Sequence, residues 1–382
     1  MSLLAPVSAF GLDLDPSQPA RFGQVPNRRM DRTGTMASHP ASASGPVPPA
    51  PPGRARAPAP PQQTYAAIDL GTNNCRLLIA RPSAGGFTVV DAFSRIVRLG
   101  EGLATSGRLT DGAMDRAVEA LGVCADKLRR RRVGLARSVA TEACRRAANG
   151  RDFAERVRRE TGIVLEIIAP QEEARLAVLG CHKLLEPGDG PALIFDIGGG
   201  STELVLVEPG SDETAPRIKA WWSAPWGVVS LTESEGREAI EGPDRVAAYA
   251  RMRERTRHAF ARFSELLPEK KDNIRLLGTS GTVTTLASVH LALPSYDRRA
   301  VDGLHVPIGA MRDISTMIAE MSFEERSDLP CIGSERADLV VAGCAILEAI
   351  LDIWPAQQLG IADRGIREGI LRSLMARDGH LL

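Results

Sequence analysis

One sixteen-residue pattern occurs twice in this chain and constrains the fold more than any other feature. Residues 65–80 read Tyr-Ala-Ala-Ile-Asp-Leu-Gly-Thr-Asn-Asn-Cys-Arg-Leu-Leu-Ile-Ala, and residues 192–207 read Ala-Leu-Ile-Phe-Asp-Ile-Gly-Gly-Gly-Ser-Thr-Glu-Leu-Val-Leu-Val. They align without a gap, Asp69 on Asp196, at an offset of 127 residues. Each is an apolar run closed by an aspartate, a glycine-bearing turn and a second apolar run, which predicts a β-hairpin. The offset is the size of a domain. The chain is therefore expected to hold two similar α/β domains that face each other across a cleft, each opening with a strand, an aspartate and a glycine loop.

The pattern along the rest of the chain fits that plan. Amphipathic helices are expected over 111–130 and 141–161, a strand over 164–168 and a short helix from Gln171. The second half predicts a helix over 245–267, a strand over 274–277 and a helix from the Gly278-Thr279-Ser280-Gly281-Thr282 turn to about 293. Further helices are expected over 335–353 and 364–377. This places a first domain at 63–178, a second at 179–362, and a terminal helix in 363–382 that could return to the first domain. Residues 1–62 read differently. They hold 13 of the 26 prolines and few large apolar residues, so they cannot offset their ordering entropy and are expected to be disordered. Met30 and Met36 are alternative starts within them.

Composition excludes several classes. No apolar run approaches the ~20 residues of a membrane span. Six cysteines and six histidines are dispersed, with no Cys-x-x-Cys pair and no zinc-ligand spacing. A reducing cytoplasm is the expected home. Net charge is zero, yet 12 basic residues face three acidic ones between Lys127 and Arg159. Arginine supplies nearly every cation here, and Arg129 to Arg132 alone read as a solvated helix face. The local excess still points to an anionic ligand, though not to a specific nucleic-acid site.

The two aspartate-glycine turns carry the chemistry. Glycine lets backbone approach a ligand closely, so the turns at Gly71, Thr72, Asn73, Asn74 and at Gly198, Gly199, Gly200, Ser201, Thr202 can point amides at one anion. Asp69 and Asp196 would repel phosphate, so a hard cation between them is expected, most simply a partly hydrated Mg²⁺. Glu203 follows Ser201 by two and shares its face on a strand; it reads as a third cation ligand or as a surface glutamate. The third turn, with Gly278, Ser280, Gly281 and Thr282, lies between strand and helix, where free amides bind anions. Its Thr279, Ser280 and Thr282 read equally as plain N-caps.

These residues resemble a known family. Ile68-Asp69-Leu70-Gly71-Thr72-Asn73-Asn74, Ala140-Thr141-Glu142-Ala143-Cys144-Arg145-Arg146-Ala147-Ala148-Asn149, Glu172-Glu173-Ala174-Arg175-Leu176, the 195–204 segment and Arg364-Gly365-Ile366-Arg367-Glu368-Gly369 are similar to the exopolyphosphatase and guanosine pentaphosphate phosphatase family. That family lies within the actin, sugar-kinase and acetate-kinase superfamily. The resemblance spans roughly 65–374 and implies two ribonuclease H-like, actin-like ATPase domains around a cleft. It also implies hydrolysis of terminal phosphoanhydride bonds of polyphosphate or guanosine pentaphosphate, with Glu173 as general base and Arg145 on the substrate phosphates. Adjacent helical residues point about 100° apart, so only one of Glu172 and Glu173 can face the cleft. Asn74 stands where the family has serine or threonine, and Pro170 and Gln171 replace a glycine and an acidic residue. The chain ends after two domains, without the helical domains that longer relatives append. A phosphotransferase or ATPase, and a silent sensor of alarmone or polyphosphate, are the rival readings. A homodimer is compatible with all three.

Deleting residues 1–62 is expected to leave fold and activity intact, because nothing in their pattern offers a face to pack. A large drop in melting temperature on truncation would show that this segment packs.

Overall fold

Both aspartate-glycine segments fold as hairpins whose strands pair antiparallel without a slip in register. The computed structural model describes residues 63–188, 190–208, 216–267 and 274–380; the expectation for residues 1–62 lies outside them. The first sheet comprises β1 (Tyr65–Leu70), β2 (Asn74–Ser83), β3 (Gly86–Ile96), β4 (Leu135–Ala140) and β5 (Leu165–Ile167). The second comprises β6 (Ala192–Ile197), β7 (Thr202–Glu208), β8 (Arg217–Ala224), β9 (Arg275–Thr279), β10 (His305–Pro307) and β11 (Gln358–Ala362). Their strand orders are β3-β2-β1-β4-β5 and β10-β11-β9-β6-β7-β8.

The two orders follow one plan. β1 pairs antiparallel with β2 and parallel with β4, and β6 does the same with β7 and β9. Both central strands are buried except at their aspartates, as strands covered on both faces must be. The crossover helices Asp111–Arg130 and Gly150–Thr161 cover one face of the first sheet; Arg245–Ser264, Gly281–His290 and Val340–Ile353 cover one face of the second. The other face of each sheet looks inward, toward a shared helix pair.

That pair is Pro170–Cys181 and Ile366–Arg377. Leu176, Ile370, Leu371, Leu374 and Met375 pack with Tyr65, Ala67, Leu78 and Val139 of the first sheet. On its opposite side the first helix lays Ala174, Val178 and Cys181 against Ala192, Ile194, Val205 and Leu277 of the second. A boundary at 178/179 thus falls inside a helix that belongs to both lobes, and by contacts the two sheets form a single unit.

The helix expected over 141–161 is two helices, Glu142–Arg146 and Gly150–Thr161. The break is local chemistry. Asn149 turns its amide inward, accepting from Leu109 N–H at 2.9 Å and donating to Leu109 O at 3.0 Å. Gly150 approaches the Cys144 carbonyl so closely that a Cβ would fall on it. A side chain that satisfies distant backbone competes with helix continuation.

Tyr65 opens β1 and donates its hydroxyl to Asp378 Oδ2 at 2.6 Å, tying the first strand to the end of the last helix. Burial, then this hydrogen bond, push its phenol up to about 12. A raised folded-state value favours the neutral phenol, so the contribution is intact below the unfolded value of about 10. It is lost as pH rises toward about 12. Tyr65→Phe is expected to lower stability by about 1.5–3 kcal/mol at neutral pH, the worth of a hydrogen bond to a charged group. The variant should also show a shallower alkaline loss in denaturant melts between those two values. An unchanged midpoint at neutral pH would remove the bond from the account.

Candidate active site

The C-terminal ends of β1 and β6 bring their aspartates and glycine turns to one cleft of about 730 Å³. Crevices at the carboxyl ends of parallel strands are where α/β sheets bind ligands. The turns are built alike: Gly71 N–H donates to Asn74 O at 2.9 Å and Gly198 N–H to Ser201 O at 3.0 Å. They also touch. A Cβ on Gly199 would come within 3.0 Å of Thr72 Cβ, and one on Gly200 within 2.7 Å of Thr72 Oγ1. A side chain at either position would make Thr72, Asn73 or Glu142 shift.

The second turn is braced from behind. Val228 and Val229, at the start of the helix Val228–Glu235, donate to Gly198 O at 2.9 Å and Gly199 O at 2.8 Å. Gly227 precedes them, and a Cβ there would fall on the backbone of residues 198–200. Ser280, at the end of β9, holds φ 84° and donates its hydroxyl to Ile197 O at 3.0 Å. For a non-glycine residue that conformation costs on the order of 1–3 kcal/mol, and such strain gathers at functional sites.

Asp69, Gly71, Thr72, Asn74, Glu173, Asp196, Gly198, Gly199, Gly200, Ser201, Glu203 and Ser280 border the cleft. Asn73, Gly281 and Thr282 instead border an adjoining pocket of about 610 Å³. Three expected phosphate contacts lie elsewhere. Gly278 is inside β9, where a Cβ would come within 2.6 Å of the Phe195 ring, so this glycine serves strand packing. Thr202 is buried and donates its hydroxyl to Trp226 O at 2.7 Å. Arg145 does not border the cleft; its N–H groups go to Glu142, Glu173 and Ile168 O.

The two glutamates of the shared helix separate as geometry requires. Glu172 is held outward by Arg137 at 2.8 Å and Arg175 at 2.7 Å. Glu173 faces the cleft with 7% exposure. Pro170 occupies the first helical position, where its missing N–H costs nothing.

Charge in the cleft is crowded. Burial, then Glu203, push Glu173 well above the usual carboxylate range, against the pull of Arg145. Asp196 rises to about 6 through burial and the nearby charge of Asp69. Asp69 is also raised by burial, with Arg76 and Arg367 opposing. Glu203 is raised by burial and Asp196, although Ser201 and Ser223 each donate to its Oε1 at 2.8 Å. Among the described residues no three acidic, histidine or cysteine side chains are grouped to hold one metal ion. The expected set of Asp69, Asp196 and Glu203 is therefore not formed as a three-ligand site, and Glu203 is a hydroxyl-bonded carboxylate on β7.

Sequence reasoning missed Arg76, Thr141, Glu142, Thr279 and the 363–367 loop, all of which border the cleft. Arg76 had a signal: in an ungapped hairpin it sits directly opposite Asp69. It is half-buried, and both loss of solvent and Arg367 lower its pKa. The 363–367 loop was signalled only by the family resemblance of residues 364–369; its place at the cleft shows in a hydrogen bond from Thr279 to Arg364 O at 2.6 Å that joins residues 85 apart.

The chain matches the Ppx/GppA phosphatase family over residues 78–378. It belongs to that family. This Ppx/GppA chain is 30% identical over 322 residues to the Mycobacterium tuberculosis H37Rv protein named Exopolyphosphatase 2, covering 81% of this chain and 98% of that one. It is 28% identical over 324 residues to an Aeromonas hydrophila guanosine-5'-triphosphate,3'-diphosphate pyrophosphatase, covering 82% of this chain but 60% of the longer relative. The crystal structure of the Aquifex aeolicus Ppx/GppA family member superposes with TM-score 0.68 at 31% identity, covering 84% of this chain and 100% of that one. The shared fold is the two-lobed, actin-like α/β arrangement.

Gly227→Ala is expected to shift the 198–200 turn while the lobes stay folded. Misplacing a phosphate cradle by about 1 Å can cost about 10²-fold in rate, so phosphate release should fall by one to two orders of magnitude. Wild-type turnover in this variant would show that the turn tolerates displacement.

Proposed function

We propose that this chain hydrolyses a terminal phosphoanhydride bond of inorganic polyphosphate or of guanosine pentaphosphate, releasing orthophosphate. The observation that carries the reading is Glu173, a buried carboxylate aimed into the same cleft as two opposed glycine turns. A binding module would gain nothing from an acid held against its own desolvation, and a phosphotransferase would instead have to keep water out of the cleft. The names of the Mycobacterium and Aeromonas relatives support the two substrates.

In this reading the amides at the tips of the turns, at Thr72, Gly199 and Gly200, cradle the terminal phosphate, and Arg76 and Arg367 offset its charge. Arg145 engages Glu173 Oε2 at 3.1 Å, which assigns the water's proton to Oε1. A divalent cation, most simply Mg²⁺, fits between Asp69 and Asp196. Asp69 Oδ1 is buried with no hydrogen-bond partner, and the charge of Asp69 raises Asp196. Two carboxylates, waters and substrate oxygens are the usual company of Mg²⁺. When bound it would neutralise charge on the phosphate oxygens. The six cysteines are buried free thiols, in keeping with a reducing cytoplasm. No helix among the described residues is long and apolar enough to cross a membrane.

The test is phosphate release from purified protein on polyphosphate, guanosine pentaphosphate and ATP, with and without chelator. Glu173→Gln should reduce kcat by roughly 10²–10⁴ with KM little changed, the usual worth of general-base catalysis. Asp69→Asn or Asp196→Asn should raise the Mg²⁺ concentration for half-activity. Unchanged turnover in Glu173→Gln would overturn the assignment of the base, and indifference to chelator would overturn the metal.

A further inference from the structure

Glu173 is bonded to one cationic side chain among the described residues, Arg145, and Arg145 is itself held from its other edge. Its Nη1 donates to Glu173 Oε2 at 3.1 Å and to Ile168 O at 2.8 Å. Its Nε and Nη2 both donate to Glu142 Oε2, at 3.1 and 2.5 Å. Glu142 opens the same short helix, three residues before Arg145, so local backbone fixes the pair. Its side chain borders the phosphate cleft and lies beside the second glycine turn, where a Cβ on Gly200 would come within 2.9 Å of its Cγ. Its other oxygen, Oε1, is 3.8 Å from Arg146 Nε.

We infer that Glu142 is a positioning residue for the hydrolysis proposed above: by clamping the Nε–Nη2 edge of Arg145, it fixes the opposite edge on Glu173 and so aims the base. The inference rests on that functional reading. A guanidinium is a rigid planar fork on a flexible stem, and it binds phosphate oxygens as readily as carboxylates. An unclamped Arg145 beside an anionic substrate would turn to the phosphates and withdraw its N–H from Glu173 Oε2. Three acceptors in the plane of the fork hold it in one orientation. Glu142 differs from Glu173 in meeting an arginine at both oxygens, Arg145 at Oε2 and Arg146 at Oε1.

The experiment compares Glu142→Ala and Glu142→Gln in the full chain, on whichever substrate the wild type turns over fastest. Glu142→Ala should lower kcat by about 10- to 100-fold, the range for a misplaced catalytic group, while KM stays within about twofold. Glu142→Gln should recover most of kcat, since its amide oxygen still accepts from Nε and Nη2. The Arg145 Nε–H resonance, assigned with Arg145→Lys, should exchange slowly with water in the wild type and Glu142→Gln and rapidly in Glu142→Ala. Wild-type kcat in Glu142→Ala, a rise in KM alone, equal damage in both variants, or unaltered Nε–H exchange would each overturn the clamp. A wild-type protein that releases phosphate from none of the substrates overturns the hydrolase reading itself, a result distinct from active enzyme with indifferent variants.

Discussion

Two helices that meet backbone to backbone set the geometry on which the rest of this molecule depends. A Cβ on Gly180 would fall on the carbonyl of Gly365, and one on Gly369 on the carbonyl of Leu176. Glycine at both points lets Pro170–Cys181 and Ile366–Arg377 approach more closely than ridges of side chains allow. That closeness lets one helix pair fill the space between two sheets, giving Leu176 to one and Ala174 and Val178 to the other. It also fixes both ends of the pair at the cleft: Glu173 in the first turn of one helix, and the 363–367 loop leading into the other. Glu368 holds that loop by accepting from Gly365 N–H at 2.9 Å. Burial alone would raise Glu368, but Arg367, the Gly365 amide and Arg298 outweigh it and keep the carboxyl low.

The cleft so formed is electrostatically unfinished. Buried Glu203 and Glu173 and half-buried Asp69 and Asp196 lie within reach of one another's fields, against Arg76, Arg145 and Arg367. Carboxylates removed from water and left beside like charges favour protonation, and an added cation or a reorganised fork relieves that strain. The arrangement suits a ligand that brings its own negative charge together with a metal. It is paired with two glycine-bearing turns at the same cleft; under the proposed function their backbone amides would recognise phosphate while charged side chains tune its surroundings. Ser280, held at a costly φ between β9 and its helix, shows that local stability is given up at the same edge.

Much of this could be read from residue order. The repeat of strand, aspartate and glycine turn fixed two hairpins, because period, turn residues and register are local properties. The choice between Glu172 and Glu173 also followed from local helical geometry together with family resemblance. Arg145, Gly278 and Thr202 went differently for one shared reason: each has a partner far away in sequence. Phe195 packs against Gly278, Trp226 accepts from Thr202, and Glu173 competes for Arg145. Asn149 likewise broke an expected helix by bonding to Leu109, 40 residues earlier.

By itself, then, the sequence determined the two hairpins, the aspartates at their strand ends and the glutamate pair, since these depend on contacts within a few residues. Only the tertiary structure decided that one helix pair serves both lobes and that Arg76 and the 363–367 loop share the cleft. It likewise decided that Glu142 and Glu173 divide a single guanidinium. Those outcomes come from side chains and backbone far apart in the chain, 28 residues for Arg145 and Glu173, 85 for Thr279 and Arg364 and further still for Gly180 and Gly365, where packing of apolar faces and the cost of leaving a buried charge unpaired select the partner.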